Sequence, residues 1–461
     1  MKPEDVLRQL WLLTGLPSVA LAHTRLTGAE PTLPSSFAVG MAAQTTVVAA
    51  ALAACEVGHL RGLPRQEVSV DMQHAALECV GWFSLNGRVP DLWDKLSGLY
   101  RCNDGWARIH ANFAHHRDGA LHLLGLDPET VARADVERAM LKRSALKFET
   151  AAAEAGLVVT ALRSFDEWDS TPQGMAITAQ PLFTIKRIGN APPLELPPCN
   201  GQRPLHGVRI LDLTRILAGP VAGRTLAAYG ADVMLINSPH LPNIKSIAET
   251  SRGKLSAHVD LHARVGRETL NQLLNRTNVF IEGYRPQSLA GMGFGPLDVA
   301  AIRPGIVYAS LSAYGTLGPW ATRRGFDSLV QTAMGFNDAE GKAFRSGQPR
   351  ALPMQILDHA TGYLLACCVS AALVKQQQEG GSWHVTVSLA QTGRWLRSLG
   401  RVQDGLKCAM PDAEQFLETS TSGFGELKGI RHSAQLSCTP VEWMRPSMPP
   451  GSHEAVWPAI K

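Results

Sequence analysis

Apolar positions follow two different periods along this chain. In the second half they fall in short β-branched runs: Val208-Arg209-Ile210-Leu211-Asp212-Leu213, then Asp232-Val233-Met234-Leu235-Ile236. Between them a helical segment runs from Ala218-Gly219-Pro220 to Tyr229-Gly230. Strand, helix and strand thus follow within about thirty residues, the size of a βαβ unit. Two more strands are predicted at Asn278–Glu282 and Ile306–Leu311, with a short helix between them. Such alternation calls for a parallel, doubly wound sheet.

The first half reads as more helical. A helix is expected at the opening MKPEDVLRQLWLLTGLPSVALAH, and the longest apolar run, Phe37 to Cys55, carries Gln44, Thr45 and Thr46 at its centre. Polar groups there are expensive in lipid, so the run reads as a buried core helix. Leu99 to Ile109 has the pattern of a hairpin turning at Asn103-Asp104-Gly105. Pro128 to Lys147 and Thr150 to Ala155 read as helical, with Asp127 as N-cap.

A proline-rich stretch, Pro193 to Pro204, breaks both periods and marks a linker. The halves also share a faint repeat: an offset of 317 residues aligns Met41–Met72 with Asp358–Leu389 without gaps. Each copy reads as an alanine-rich helix, a polar turn and a strand, Val68-Ser69-Val70 falling on Val385-Thr386-Val387. The most informative difference is Met41 where the second copy has Asp358.

With 461 residues, 45% of them hydrophobic and 18% charged, the chain can bury a large core and suits two domains. Its net charge of +4 is too small and dispersed for a nucleic-acid or anionic-membrane surface, so neither partner is expected. The eight cysteines show no CxxC spacing and no secretory leader precedes them, as expected of reduced thiols in a cytoplasmic protein. No HExxH, GxSxG or P-loop lysine motif occurs, and no metal is expected. His110, His115 and His116 read as a solvated face.

Three segments bear on chemistry. Asp358, just before the apolar helix Tyr363–Leu373, meets the positive end of a helix dipole, which favours its ionised form. It is either an N-cap or a carboxylate nucleophile, and spacing alone does not choose. Leu217-Ala218-Gly219-Pro220 follows a strand and opens a helix, where backbone can approach a phosphate or an adenine. Glu282-Gly283-Tyr284-Arg285-Pro286 follows another strand and offers a stacking ring and a cation, or is a plain surface loop.

Six segments in order, GVRILDLTRILAGPVAGRTLAAYGADV, SRGKLSAHVDL, VFIEGYRPQSLAGMGF, IVYASLSAYGTLGPW, RRGFDSLVQTAMG and ILDHATGYLLACCVSAAL, resemble the family III CoA-transferases. That group includes formyl-CoA transferase, carnitine CoA-transferase relatives and the α-methylacyl-CoA racemases. The resemblance runs from about Leu205 to Trp395. It implies an α/β fold: a Rossmann-like doubly wound parallel sheet domain plus a smaller α+β domain. It places Asp358 on the family's catalytic aspartate. It also implies a CoA pocket formed by Ile216, Leu217 and Ala218, Tyr284 beside the adenine, and Arg285 and Arg324 near the phosphates.

The implied activity is transfer of CoA from an acyl-CoA to a carboxylic acid, with both as substrates and no other cofactor. Two further readings stand beside it. Gly325-Phe326-Asp327 carries Phe326 where the racemases have histidine, which argues against racemisation. No glycine-rich loop of the transferase kind is present, which leaves a CoA-binding or scaffold protein as the alternative. The segments also resemble two incomplete family units fused: residues 1–195 a helical, small-domain-like half, 196–204 the linker, 205–400 the Rossmann-like half, and 401–461 a C-terminal return. Because family members form interlocked dimers, a homodimer or a single-chain pseudo-dimer is expected.

Overall fold

The structure is a computed structural model that describes residues 1–199 and 203–459; residues 200–202 of the expected linker lie outside them. Its centre is a seven-stranded sheet of β1 (Phe183–Gly189), β2 (Arg209–Leu213), β3 (Asp232–Asn237), β4 (Lys254–His258), β5 (Val279–Glu282), β6 (Val307–Ser312) and β7 (Ser382–Ser388). The spatial order is β4-β3-β2-β5-β6-β7-β1. Every neighbouring pair is parallel except β7 with β1. Without the antiparallel edge β1, this is the order of a dinucleotide-binding Rossmann sheet.

Burial explains why these segments are strands. Ile210, Leu211 and Leu213 of β2 and Val279, Phe280 and Ile281 of β5 are at most 1% exposed. Helices cover both faces of a parallel sheet, so its central strands are near-continuous apolar runs rather than alternating ones. A charge pair between β2 and β4, Asp212 with Lys254, is fully enclosed: Nζ lies 2.8 Å from Oδ2 and donates as well to Pro220 O.

The α/β expectation holds, as does the smaller α+β part. Gly98–Arg101, Trp106–Ile109 and Val159–Ala161 form a separate antiparallel sheet with its own core, which includes Tyr100, Ile109, Val136 and Phe148. The expected hairpin is its first pair of strands. The helix expected over Pro128–Lys147 is corrected: Asp127 caps only a turn, accepting Glu129 N–H at 3.0 Å, and helices run over Arg133–Met140 and Ala145–Glu154. The break receives the hairpin tip, since Asn103 N–H donates to Arg143 O and Ala145 N–H to Asp104 Oδ1.

The repeat is present in three dimensions. Val39–Leu60, Val68–Asp71 and Met72–Val80 match Ile356–Glu379, Ser382–Ser388 and Leu389–Ser398 in type and order. Corresponding residues share local geometry at the same offset. Ala38 (φ −77°, ψ 61°) and Gln355 (φ −81°, ψ 60°) precede the long helices, and Asp71 and Ser388 cap the short ones through their side chains. Met41 N–H donates to Glu30 Oε1 at 2.8 Å as Asp358 N–H donates to Asp327 Oδ2 at 2.9 Å. The two long helices pack against one another, and although both are long and apolar enough to cross a membrane, both are buried within the protein. The largest core therefore draws on both halves of the chain.

Candidate functional site

The chain runs outward from β2 to β3 and β4, then returns to β5 on the other side of β2. At such a reversal the loops leaving two adjacent strands diverge and open a crevice at their carboxyl ends. A cavity of about 500 Å³ occupies this place. Ile216, Leu217, Ala218, Tyr284, Arg285, Arg324 and Asp358, the seven residues singled out from sequence, all line it.

Local geometry explains their convergence. Ile216 adopts φ +77°, a left-handed conformation that crowds a β-branched side chain and costs about 1–3 kcal/mol. The turn it makes starts the helix Ala218–Ala228 directly after β2, so that the first N–H groups of the helix lie at the cavity wall. Gly362 brings in the second helix. A Cβ there would lie 2.5 Å from Ala218 O, so only glycine lets Ile356–Glu379 press against the start of Ala218–Ala228. Asp358, one turn earlier, is thereby carried to the cavity.

The N-cap reading of Asp358 is corrected. Gln355 holds the cap position, and Asp358 lies within the first helical turn with its carboxylate toward the cavity, 8% exposed. The expected preference for its ionised form is also overruled. Burial raises its pKa well above the usual carboxylate range, and the nearby Asp327 raises it further. Asp327 is itself raised to about 7 by burial, against hydrogen bonds from Asp358 N–H and the Gln331 amide. Asp327, with its donors, is the better site for a negative charge, and the pair resists holding two. His359 is buried outside the cavity lining, its ring edge toward Gly81.

Among the described residues, the lining holds one acid, Asp358, and four arginines, Arg215, Arg285, Arg323 and Arg324. Arg323 is engaged elsewhere, over the Trp320 ring at 4.0 Å and donating to Glu149 O at 3.2 Å. Among the described residues, Arg215, Arg285 and Arg324 have no carboxylate partner within salt-bridge distance. The pKa of Arg324 is lowered by burial and then by the repulsion of Arg285. Two unpaired guanidinium groups that repel one another across a cleft are relieved by an anion placed between them.

Sequence reading missed Arg215 and misplaced two of the three histidines, His115 being exposed as expected. His110 and His116 are 5% and 4% exposed, not a solvated face. Phe113, His115, His116 and Phe326 wall the cavity, and His110 packs behind Phe326. Phe113, an aromatic residue interleaved among the histidines, was the available signal, since a solvated face has no use for it.

Residues 205–449 match the family described as CoA-transferase family III. The chain is similar to an acyl-CoA transferase of Gibberella moniliformis, 28% identical over 376 residues, with 72% of this chain and 66% of the relative covered. It is similar to a probable fatty acyl-CoA transferase, Rv3272, of Mycobacterium tuberculosis: 33% identical over 208 residues, covering 42% of this chain and 52% of the relative. A crystal structure of Rv3272 in an orthorhombic form is 31% identical and covers 42% of this chain and 58% of that one, with a TM-score of 0.40. The chain thus spans between about half and two thirds of the length of these proteins. The family match takes in β2 to β7, the strand ends that form the cavity and Asp358, and the chain belongs to CoA-transferase family III.

Proposed function

We propose that this protein moves CoA from an acyl-CoA to a carboxylic acid, with Asp358 as the covalent nucleophile. The observation that carries this reading is one cavity, at the carboxyl ends of a Rossmann sheet, whose described lining holds a single carboxylate and arginines without carboxylate partners. The relatives' names agree with it: they include a succinate–glutarate CoA-transferase of Agrobacterium fabrum and a formyl-CoA:oxalate CoA-transferase of Streptomyces coelicolor.

The chemistry balances without a redox step. An Asp358 oxygen adds to the thioester carbonyl, the C–S bond breaks, and a mixed anhydride and CoA thiolate result. The thiolate then attacks the aspartyl carbonyl and expels the donor acid, leaving an aspartyl-CoA thioester. An acceptor carboxylate repeats the two steps in reverse and restores Asp358. Arg285 and Arg324 hold phosphates, Tyr284 lies against the adenine, and the backbone of Ile216, Leu217 and Ala218 follows the nucleotide. The protein's part is to position the groups and exclude water. Incubating the protein with a panel of acyl-CoA thioesters and measuring its intact mass tests this: a CoA adduct that maps to Asp358 supports it. No adduct from any thioester, with CoA still bound, leaves the non-catalytic CoA-binding reading.

Two results follow for binding and pH. Titration calorimetry is expected to give one CoA per chain, because the first repeat has Met41 in place of the nucleophile and no Rossmann sheet beside it. Arg285→Ala weakens that binding about tenfold at low salt and less at high salt; unchanged affinity counts against the phosphate assignment. Asp327→Asn keeps an acceptor for Asp358 N–H but removes the neighbouring charge that raises the Asp358 pKa. The acid limb of kcat/KM then moves to lower pH. A limb that stays in place, or moves up, shows that Asp327 does not set the charge of the nucleophile.

A further inference from the structure

Phe326 has a covered face and an open one. Its ring stacks on His110 with centroids 4.1 Å apart and planes at 18°, while Phe113 stands beside both, 6.1 Å from Phe326 and 6.5 Å from His110. These distances place Phe113 alongside the stack rather than on the far side of Phe326, whose second face is left to the cavity it lines. The platform is fixed from below and from both sides along the chain. His110 is buried, Trp93 meets it edge-on at 5.8 Å, and burial followed by the charge of Arg108 keeps the imidazole neutral, its pKa lowered to about 3. Gly325 leaves no room for a side chain, since a Cβ would lie 2.7 Å from Ala313 Cβ, and Phe326 O accepts from Leu329 N–H and Val330 N–H of the helix Asp327–Met334. The next residue, Asp327, binds the backbone of Asp358. A rigid flat ring is therefore held in the same cavity as Asp358.

We propose that Phe326 is a specificity-determining residue and that the acid exchanged on Asp358 carries an aryl group that lies on its open face. The inference rests on the transferase reading above. An aromatic ring stacked on such a platform gains beyond its buried area, whereas a flexible chain of the same carbon count gains only the area and loses rotamer freedom on binding.

The test needs no knowledge of the natural acceptor, because a transferase also exchanges a thioester with its own free acid. The full-length protein is given phenylacetyl-CoA with labelled phenylacetate, or hexanoyl-CoA with labelled hexanoate, and label entering the thioester is followed. We expect kcat/KM for phenylacetyl exchange to exceed that for hexanoyl exchange about tenfold, and Phe326→Leu to shrink the ratio about 3- to 10-fold. Hexanoyl exchange as fast as or faster than phenylacetyl exchange in the unaltered protein overturns the inference and leaves the transferase reading standing. The same holds if Phe326→Leu weakens free CoA without changing the ratio, because the platform then holds the adenine. No exchange with either acid and no adduct on Asp358 from any thioester removes the transferase reading, and the inference with it.

Discussion

Replacing Asp358 with asparagine is expected to lower CoA transfer by about a thousandfold or more, while CoA itself still binds. Asparagine keeps the volume and planarity of the side chain, so the helix Ile356–Glu379 and its contact through Gly362 are undisturbed. What is lost is the oxygen that attacks the thioester, and among the described residues no other acid lines the cavity to replace it. His359, the neighbouring titratable group, is buried away from the cavity, and burial and Arg224 hold its pKa down to about 3. The arginines that face an anion are untouched, so titration calorimetry should report nearly unaltered affinity for CoA. Turnover within tenfold of the unaltered protein sinks the nucleophile assignment. Loss of binding together with turnover shows instead that Asp358 shapes the pocket.

The charge state of the site gives this reaction a condition. Asp358 and Asp327 are both pushed upward by burial, so in the empty cavity the pair favours fewer than two negative charges. A nucleophile must be ionised, and of the two only Asp358 lines the cavity. Its companion is held by backbone and amide donors that favour its own ionised form. Transfer therefore gains as pH rises through the range where the second proton leaves, which is why the acid limb is the informative part of the profile for Asp327→Asn.

How far the sequence reveals all this depends on whether a residue's role is written in its near neighbours. β2, β3, β5 and β6 were legible because helices cover both sheet faces and their residues must be apolar in continuous runs. β4, Lys254–His258, carries no such run: its lysine is buried only because Asp212, forty-two residues earlier, accepts from it. β1, Phe183–Gly189, is an edge strand with exposed Lys186 and Arg187, and nothing in its composition announces an antiparallel partner two hundred residues away.

The site divides in the same way. Ile216–Ala218 and Tyr284-Arg285 follow strands, where a parallel sheet places ligands, and so could be found from element order alone. Asp358 was ambiguous because the long helix starts at Ile356, before the apolar run that marked it, and only the backbone shows Gln355 at the cap. His110 and His116 look like surface residues in a polar stretch. Their packing onto Phe326 and Arg324 joins segments about two hundred residues apart, and Phe113 is its one local sign.

The duplicated frame needs its halves and its tail held together, and one buried acid does much of this. Glu78, on Met72–Val80, is 1% exposed and accepts from His432 Nδ1 at 2.8 Å, from Ser433 N–H at 2.8 Å and from Arg224 at 3.2 Å. Arg224 lies on the helix that opens at the cavity and also reaches Tyr363 on the Asp358 helix and Glu249. Burial alone would raise the pKa of Glu78; attraction to His432 and Arg224, with the hydrogen bonds from His432 and Ser433, outweighs it and holds the group well below its ordinary 4.5.

Removing one partner of such a buried cluster leaves the others uncompensated, so Glu78→Ala is expected to cost about 3–5 kcal/mol. That is a large share of the roughly 5–15 kcal/mol by which folded domains are stable, and it is read as a fall in the urea midpoint at pH 7. The pH dependence follows from the sign of the shift. A group whose pKa is depressed on folding contributes fully above its unfolded value and loses that contribution as pH falls toward the folded one. The difference in stability between the unaltered protein and Glu78→Ala should therefore be greatest near neutrality and shrink as pH falls below about 4.5. A midpoint within experimental error of the unaltered protein, or a difference that grows in acid, shows that the three segments are held by apolar packing and not by this carboxylate.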